Sequence, residues 1–186
     1  MVAALTRVRF TTDDYHRMAA AGILDEDDRV ELIDGEIVRM SPVGALHAGT
    51  TKKLNRLLSR TLGDAAVIGV QDPVRLADDT EPEPDLSVLR PRADFYTESL
   101  PVPAEVLLLI EVADTSLLAD RLVKIPRYAR AGIPEVWLVD LDHRQIERHS
   151  GPTAEGYTAT AVIAEGQSLA SSILPAIVIR ADDLLG

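Results

Sequence analysis

Apolar residues along the chain follow two spacings, and each spacing predicts its own kind of element. The two longest nearly continuous apolar runs, EVLLLIEVA (105–113) and PEVWLVDL (134–141), are typical of central strands that are covered on both faces. Further β-favouring segments are shorter: AAVIGVQ, PVRLA, DLSVL, RQIERHS, GYTATAVI and AIVIR. Because these segments alternate with helical ones, the chain is predicted to have an α/β fold, with a mixed β-sheet flanked by helices.

Three segments have the spacing of helices: residues 13–20, 44–62 and 117–131. The second repeats apolar residues every three or four positions, as one buried face of a helix requires. Pro126 lies inside the third segment. It is expected to kink or split that helix because proline has no N–H to donate.

A hairpin is predicted near the N-terminus, where Asp34-Gly35 separates RVELI from EIVRM. Both turn residues tolerate the left-handed backbone that a two-residue hairpin requires. The β-favouring segments after residue 144 predict additional β structure at the other end, followed by a turn in ADDLLG. The chain has no internal repeat and no evident boundary, so residues 1–186 are expected to form a single domain.

Composition narrows the functional classes. The 30 acidic and 19 basic residues give a net charge of −11, which argues against a protein whose main role is to coat nucleic acid. It leaves open an enzyme that meets a polyanion through a local basic patch and metal ions. Because the chain has no cysteine, disulfides, thiolate zinc sites and a cysteine nucleophile are excluded. No signal peptide pattern and no apolar run of about 20 residues is present, so a soluble cytoplasmic protein without a membrane partner is expected.

Glu111 stands in the middle of the apolar run 106–113. An unpaired ionised carboxylate is costly to bury, so a positive group should face it. On a strand, Glu111 shares a face with Leu109 and Ala113. Lys124 is the only lysine in the second half of the chain and lies on the following helix, which makes it the candidate for that positive group.

A second carboxylate, Asp85, precedes the strand DLSVL. If this strand neighbours the one that carries Glu111, the two carboxylates meet on one face, with Lys124 opposite them. Two carboxylates and a lysine in one cleft are suited to metal-assisted hydrolysis of a phosphodiester. The carboxylates would bind Mg²⁺ or Mn²⁺, the metal would activate a water, and the lysine would position that water or steady the phosphate.

Several strings of the sequence occur together in one known superfamily. PEPDLSV, LLLIEVADTS, Lys124 and YARAGIPEVWLVD, in this order and spacing, resemble the PD-(D/E)XK nuclease superfamily. RVELIDGEIVRMSPVGALH resembles the N-terminal motif of a bacterial family within it, whose members are restriction endonuclease type II-like proteins. The resemblance covers most of the chain and implies a restriction-endonuclease-like core with additional β-hairpins at both ends.

The resemblance also implies roles for individual residues. Asp85 matches the motif aspartate and Glu111 the (D/E) position, so both are expected to be catalytic metal ligands, with the backbone carbonyl of Val112 as a third ligand. Two residues after Glu111, an alanine stands in place of the motif lysine. Lys124 matches the position on the following helix where this family carries its lysine. Glu31 matches an N-terminal glutamate that is expected to complete the site.

Each of these residues also has a purely structural interpretation. In this interpretation Glu111 is one half of a structural salt bridge with Lys124 or Arg121, and Asp85 is the anchor of a turn. His47 matches a histidine of the family motif, but on an apolar helix face it is more simply a hydrogen-bonded histidine at the edge of the core. Only the combination of residues favours a catalytic site.

The function implied by the resemblance is a Mg²⁺- or Mn²⁺-dependent endodeoxyribonuclease with DNA as its substrate. A homodimer or higher homo-oligomer is expected because double-strand cleavage usually needs two active sites. Arg121, Arg127 and Arg130 are candidates for holding the DNA backbone. Two other functions stay open: a non-catalytic homo-oligomeric interaction protein that keeps the nuclease fold, which the net charge favours, and a metal-dependent phosphoesterase acting on a small or RNA substrate.

Overall fold

The central feature of the protein, in a computed structural model that describes residues 7–186, is a six-stranded mixed β-sheet. Residues 7–186 contain ten strands: β1 (Val30–Ile33), β2 (Glu36–Arg39), β3 (Val67–Val70), β4 (Leu86–Leu89), β5 (Val106–Ala113), β6 (Glu135–Asp140), β7 (Gln145–Thr153), β8 (Gly156–Ala164), β9 (Ser168–Ala170) and β10 (Val178–Arg180). The sheet has the order β3-β4-β5-β6-β7-β8, and only β5 and β6 run parallel. The other four strands form the hairpins β1–β2 and β9–β10. The predicted α/β fold, with a mixed sheet flanked by helices and hairpins at both ends, is confirmed.

Helices cover both faces of this sheet. The α-helices of residues 7–186 are α1 (Thr12–Ala20), α2 (Ala45–Leu62), α3 (Leu117–Ala119), α4 (Ile125–Arg130) and α5 (Ala181–Leu185), and a π-helical turn (Asp120–Lys124) joins α3 to α4. Helices α2 and α5 pack on one face of the sheet and α4 on the other. None of the helices within residues 7–186 combines the length and the apolar character that crossing a membrane requires.

Strand β5 is buried on both faces and separates two apolar clusters. On one face, Ile110 and Val112 pack with Leu54 and Leu58 of α2. On the other face, Leu109 packs in a cluster that includes residues of α4. Burying each such leucine or isoleucine contributes roughly 1.5–3 kcal/mol, so β5 is held firmly in place. Because side chains alternate along a strand, Glu111 lies on the face that α4 covers.

The helical segment after β5 is split, as the position of Pro126 predicts. Pro126 has no N–H to donate to the carbonyl of Leu122, and the chain forms the π-helical turn immediately before it. π-Helical turns inside helices are frequent at functional sites. The turn contains both Asp120 and Lys124, which are buried.

The hairpin β1–β2 closes through a tight turn at Asp34 and Gly35, whose φ angles are 48° and 74°. Left-handed backbone at both positions is the signature of the two-residue turn that the sequence predicts. A side chain at position 35 would stand 2.6 Å from Arg9 Cβ and 3.1 Å from the carbonyl oxygen of Phe10. Glycine is therefore required here by both backbone conformation and space.

Three short segments differ from the sequence-based expectation. PVRLA is not a strand: the N–H of Val74 donates to the carbonyl of Pro82 at 2.9 Å, and Arg75 N–H to that of Pro101 at 3.0 Å. The proline-rich segment opposite cannot donate to a regular ladder at its prolines, so no strand pair forms. ADDLLG is the short helix α5 rather than a turn, and β9 was not predicted.

Replacement of Gly35 by alanine tests the hairpin turn. Gly35→Ala should lower the free energy of unfolding by about 2–3 kcal/mol, because left-handed strain of about 1 kcal/mol is added to the clash with Arg9 and Phe10. Chemical denaturation measures the loss.

Gly22→Ala is the matched control, since Gly22 has a φ of 68° but open space around the missing Cβ. Gly22→Ala should lower the free energy of unfolding only by the cost of left-handed backbone strain, about 1 kcal/mol. Equal losses in the two variants would contradict the close approach at Gly35.

Candidate active site

A cavity of about 150 Å³ opens at the carboxyl end of β5, between the hairpin β1–β2, the start of α2 and the segment 114–124. Its lining is strongly acidic. The carboxylates that line it are those of Glu31, Glu83, Asp85, Glu111, Asp114 and Asp120. All four residues that the sequence singled out as catalytic (Glu31, Asp85, Glu111 and Lys124) line this one cavity.

Lys124 occupies the centre of this acidic group. Its Nζ lies 3.1 Å from Oε2 of Glu31 and 3.3 Å from Oε1 of Glu111. Burial disfavours the ammonium group, but Glu111, Glu31 and Asp120 outweigh it and raise the pKa of Lys124 above its ordinary value. The positive group that a carboxylate inside β5 requires is therefore Lys124, and its charge is permanent at physiological pH.

Glu111 is held at a cost in free energy. Burial raises the pKa of its carboxyl well above the usual range; Lys124 opposes this shift, while the charges of Asp120 and Asp85 add to it. The hydroxyl of Tyr128 donates a hydrogen bond to Oε1 of Glu111 and fixes its orientation from α4. The charge of one lysine does not compensate for the free energy that is lost when so many carboxylates are buried.

Asp85 reaches the site from the residue just before β4, the neighbour of β5. Its Oδ2 accepts the backbone N–H of Val112 at 2.8 Å and lies 3.0 Å from Nε2 of His47. Its Oδ1 accepts a hydrogen bond from the side-chain amide of Gln71 at 3.2 Å. Asp85 thus has the anchoring role that its structural interpretation requires, and it also lies in the cavity with Glu111.

His47 joins the site through Asp85. The hydrogen bond to Asp85 raises the pKa of the imidazole, and burial opposes this shift. Nδ1 of His47 is buried, and no residue of the described chain pairs with it. The simpler interpretation of the sequence is that His47 is a hydrogen-bonded histidine at the edge of the core. His47 does form such a hydrogen bond, and its partner, Asp85, is a candidate metal ligand.

Glu31 is positioned by the hairpin β1–β2. Its Oε2 accepts the N–H of Glu83 at 3.2 Å, while a β-bridge between Leu32 and Glu81 ties β1 to the same segment. Burial and the charge of Glu31 raise the pKa of the Glu83 carboxyl. The sequence did not single out Glu83 or Gln71, because neither lies in an apolar run that would mark it.

The arginines at the cavity are not those that the sequence suggested. Arg121 pairs with Glu147, and Arg127 pairs with Asp34. Arg130 lines a separate groove near the hairpin turn. The arginines that line the cavity are Arg29 and Arg39, at the open end of β1–β2. The only feature of the sequence that points to Arg29 and Arg39 is that they lie almost equally far before and after the turn Asp34-Gly35.

The donor atoms suit a hard divalent cation. Carboxylate and carbonyl oxygens are the ligands that Mg²⁺ prefers. Since Val112 N–H donates to Asp85, and the N–H and C=O of a strand residue point to the same edge, the Val112 carbonyl faces the Asp85 side. As the side chains lie, however, no three His, Asp or Glu residues of the described chain stand together as a metal-binding group. Asp85, Glu111 and the Val112 carbonyl therefore fit a metal by chemical type rather than as a preformed cage.

Comparisons with known proteins agree on the fold. The Uma2 family model, described as "Putative restriction endonuclease", matches residues 12–182. A crystal structure of a putative nuclease belonging to DUF820 from Anabaena variabilis ATCC 29413 is similar with a TM-score of 0.73 and 16% sequence identity, over 95% of this chain and 97% of that chain. At this identity the likeness concerns the fold alone. No curated protein matches the chain. The resemblance to restriction-endonuclease-like proteins that the motifs predict is confirmed.

Neutralising Glu111 without changing its shape should stabilise the protein. Glu111→Gln keeps an acceptor for the Tyr128 hydroxyl but removes the buried charge. Because the folded-state pKa of Glu111 is raised above 4.5, its ionised form opposes folding, and wild-type stability falls as pH rises from 4.5 through the folded pKa. Glu111→Gln should unfold at a higher Tm than wild type at about pH 7 and at the same Tm at about pH 4. The Tm should rise by about 2–4 °C for each kcal/mol by which the free energy of unfolding increases.

Lys124→Met supplies the opposite control. It leaves Glu31 and Glu111 without their cation and should lower the free energy of unfolding by about 3–5 kcal/mol at neutral pH. A loss of stability in Glu111→Gln at neutral pH would instead identify Glu111 as a structural partner of Lys124.

Proposed function

Because this chain belongs to the Uma2 family of restriction-endonuclease-like proteins, we propose that it is a Mg²⁺- or Mn²⁺-dependent endodeoxyribonuclease that hydrolyses DNA phosphodiester bonds. One observation carries the proposal: a buried lysine lies between Glu31 and Glu111, in a cavity that Asp85 also lines. Burying more carboxylates than cations lowers stability, and such an arrangement is typical of functional sites.

The proposed metal ligands are Asp85, Glu111 and the backbone carbonyl of Val112. A divalent metal bound there would lower the pKa of a water and neutralise charge on the phosphate. Glu111 is oriented by Tyr128, and Asp85 by Val112 N–H and by His47. These contacts fix the ligands before substrate arrives, which reduces the reorganisation that binding requires.

Lys124 acts as a hydrogen-bond donor in this proposal. Its raised pKa keeps the ammonium group charged at neutral pH, so it does not take a proton from the attacking water. It steadies the negative charge that develops on the phosphate oxygens, or holds the water in line for attack. Glu31, at 3.1 Å from Nζ, holds the lysine in position.

We further propose that residues 1–186 act as one domain and that the active form is a homodimer or higher homo-oligomer. Cleavage of both strands of a duplex needs two copies of the site, and the expected products are a 5′-phosphate and a 3′-hydroxyl. Val162 of β8 and Val178 of β10 have exposed side chains that a second copy could cover.

A non-catalytic interaction protein with this fold is the second candidate. One observation favours it: Oδ2 of Asp85 is engaged by Val112 N–H and His47, and residues 7–186 contain no ready group of three acidic or histidine side chains for a metal. In this alternative Glu111 and Lys124 only stabilise the fold.

Calorimetric titration with Mn²⁺ separates the two candidates. Wild type should bind Mn²⁺, and the Asp85→Ala/Glu111→Ala double variant should not, because both side-chain ligands are removed. Nicking of supercoiled plasmid in Mn²⁺ should be lost in parallel, with a fall in rate of at least about 10²-fold.

Asp64→Ala/Glu155→Ala is the matched control, since it removes the same charge from two exposed positions outside the cavity. It should bind Mn²⁺ and nick plasmid as wild type does. If wild type and the Asp85→Ala/Glu111→Ala variant bind Mn²⁺ equally, the result would favour the non-catalytic interaction protein over the nuclease.

A further inference from the structure

The acidic cavity creates an electrostatic problem for a phosphodiester. Six carboxylates line it, and the one lysine at its centre is already paired with Glu31 and Glu111. A polyanion that approaches such a cavity is repelled unless cationic groups stand at its entrance. The whole chain, with a net charge of −11, adds to this repulsion.

Arg29 and Arg39 are the arginines at this entrance, and the hairpin fixes both. The N–H of Met40 donates to the carbonyl of Arg29 at 2.9 Å, and Val30 pairs with Arg39 across the two strands. The same hairpin carries Glu31 into the site, so the arginines keep a constant position relative to Lys124. The charge of Arg29 acts on the cavity already, since it helps to oppose the rise in the pKa of the Glu83 carboxyl.

Neither arginine forms an ion pair with a carboxylate of the described chain, whereas Arg121 and Arg127 do. Both side chains are exposed. Between Arg39 and Asp64 the sequence has no acidic residue, so the chain that follows Arg39 supplies no nearby carboxylate to pair with it. Two guanidinium groups that have no ion pair among the described side chains therefore lie beside an acidic pocket and are available for an external anion.

We propose that Arg29 and Arg39 form a clamp for the sugar-phosphate backbone next to the scissile bond. Guanidinium groups bind phosphate oxygens through two parallel hydrogen bonds, which fixes orientation as well as position. The clamp rests on the proposed function, because it presents the neighbouring phosphate to Lys124 and the carboxylates. It also names the substrate class: a continuous nucleic-acid strand, with phosphates on both sides of the cleaved bond, rather than a small phosphate ester.

The salt dependence of DNA binding tests the clamp. Binding of the full chain to a fluorescein-labelled DNA duplex is followed by anisotropy over a KCl series, with Ca²⁺ in place of Mn²⁺. Arg29→Ala and Arg39→Ala should each weaken binding by about tenfold, the loss of one charged hydrogen-bonded contact. Each should also lower the slope of log affinity against log salt by about 0.9, the value for one phosphate contact.

Arg60→Ala is the matched control. It removes the same charge from an exposed residue near the end of α2, which lines a groove separate from the cavity, so affinity and slope should stay at the wild-type values. Arg29→Lys should keep the wild-type salt dependence, because the positive charge remains. It should lose part of the affinity for DNA, because lysine lacks the two parallel donors of a guanidinium group. Wild-type slopes for both alanine variants at positions 29 and 39, equal losses in Arg60→Ala, or no DNA binding by wild type at low salt would each overturn the clamp.

Hydrolysis of bis-p-nitrophenyl phosphate in Mn²⁺ separates this proposal from the proposed function. The small diester has no neighbouring phosphate, so its hydrolysis by wild type reports on the nuclease site without the clamp. If the arginine variants bind DNA as wild type does and the diester is still cleaved, the clamp fails and the nuclease site stands. If wild type fails to bind Mn²⁺ or to cleave the diester but the arginine variants lose DNA binding, the arginines bind the DNA backbone and the catalytic proposal fails.

Discussion

The burial of the Glu111 carboxylate inside the central strand is the constraint on which the arrangement of this molecule depends. A charge at that position is tolerated only if a cation is brought to it, and Lys124 lies within 3.3 Å. To bring the lysine there, the chain breaks the helix after β5 into a π-helical turn before Pro126. Tyr128, one turn further along, completes the set by donating to the same carboxylate oxygen.

The same constraint explains why distant parts of the chain meet at one point. Lys124 needs more than one carboxylate to hold its charge when buried, and the hairpin β1–β2 supplies Glu31. Asp85 is fixed by the backbone of β5 itself, through Val112 N–H, and it recruits His47 from the start of α2. Each contact is local and simple, and together they join the hairpin, α2, β4 and the split helix around the end of one strand.

The sequence predicts those features whose cause lies within a short stretch of chain. The apolar run around Glu111 identifies a central strand, Asp34-Gly35 identifies a hairpin turn, and Pro126 identifies a broken helix, because each depends on its own backbone or side chain. PVRLA has the composition of a strand, but its fate depends on prolines that lie opposite it in space. Arg29, Arg39 and Glu83 escape prediction for a related reason: folding brings them to the cavity, and no local pattern marks them.

The π-helical turn at residues 120–124 also bears on how such a site can change in evolution. A π-helical turn holds one residue more than the α-helical turn it replaces, so deletion of one residue there would restore ordinary helical hydrogen bonding. Because the π-helical turn accommodates its extra residue within itself, the helical residues on either side would keep their mutual orientation, and the change would be confined to residues 120–124. One of the side chains that this turn now presents to the cavity, Asp120 among them, would be lost or displaced. The regular helix would be the better local structure but would line the cavity with one residue fewer, so the loss of a single codon would change the cavity and leave the rest of the fold in place.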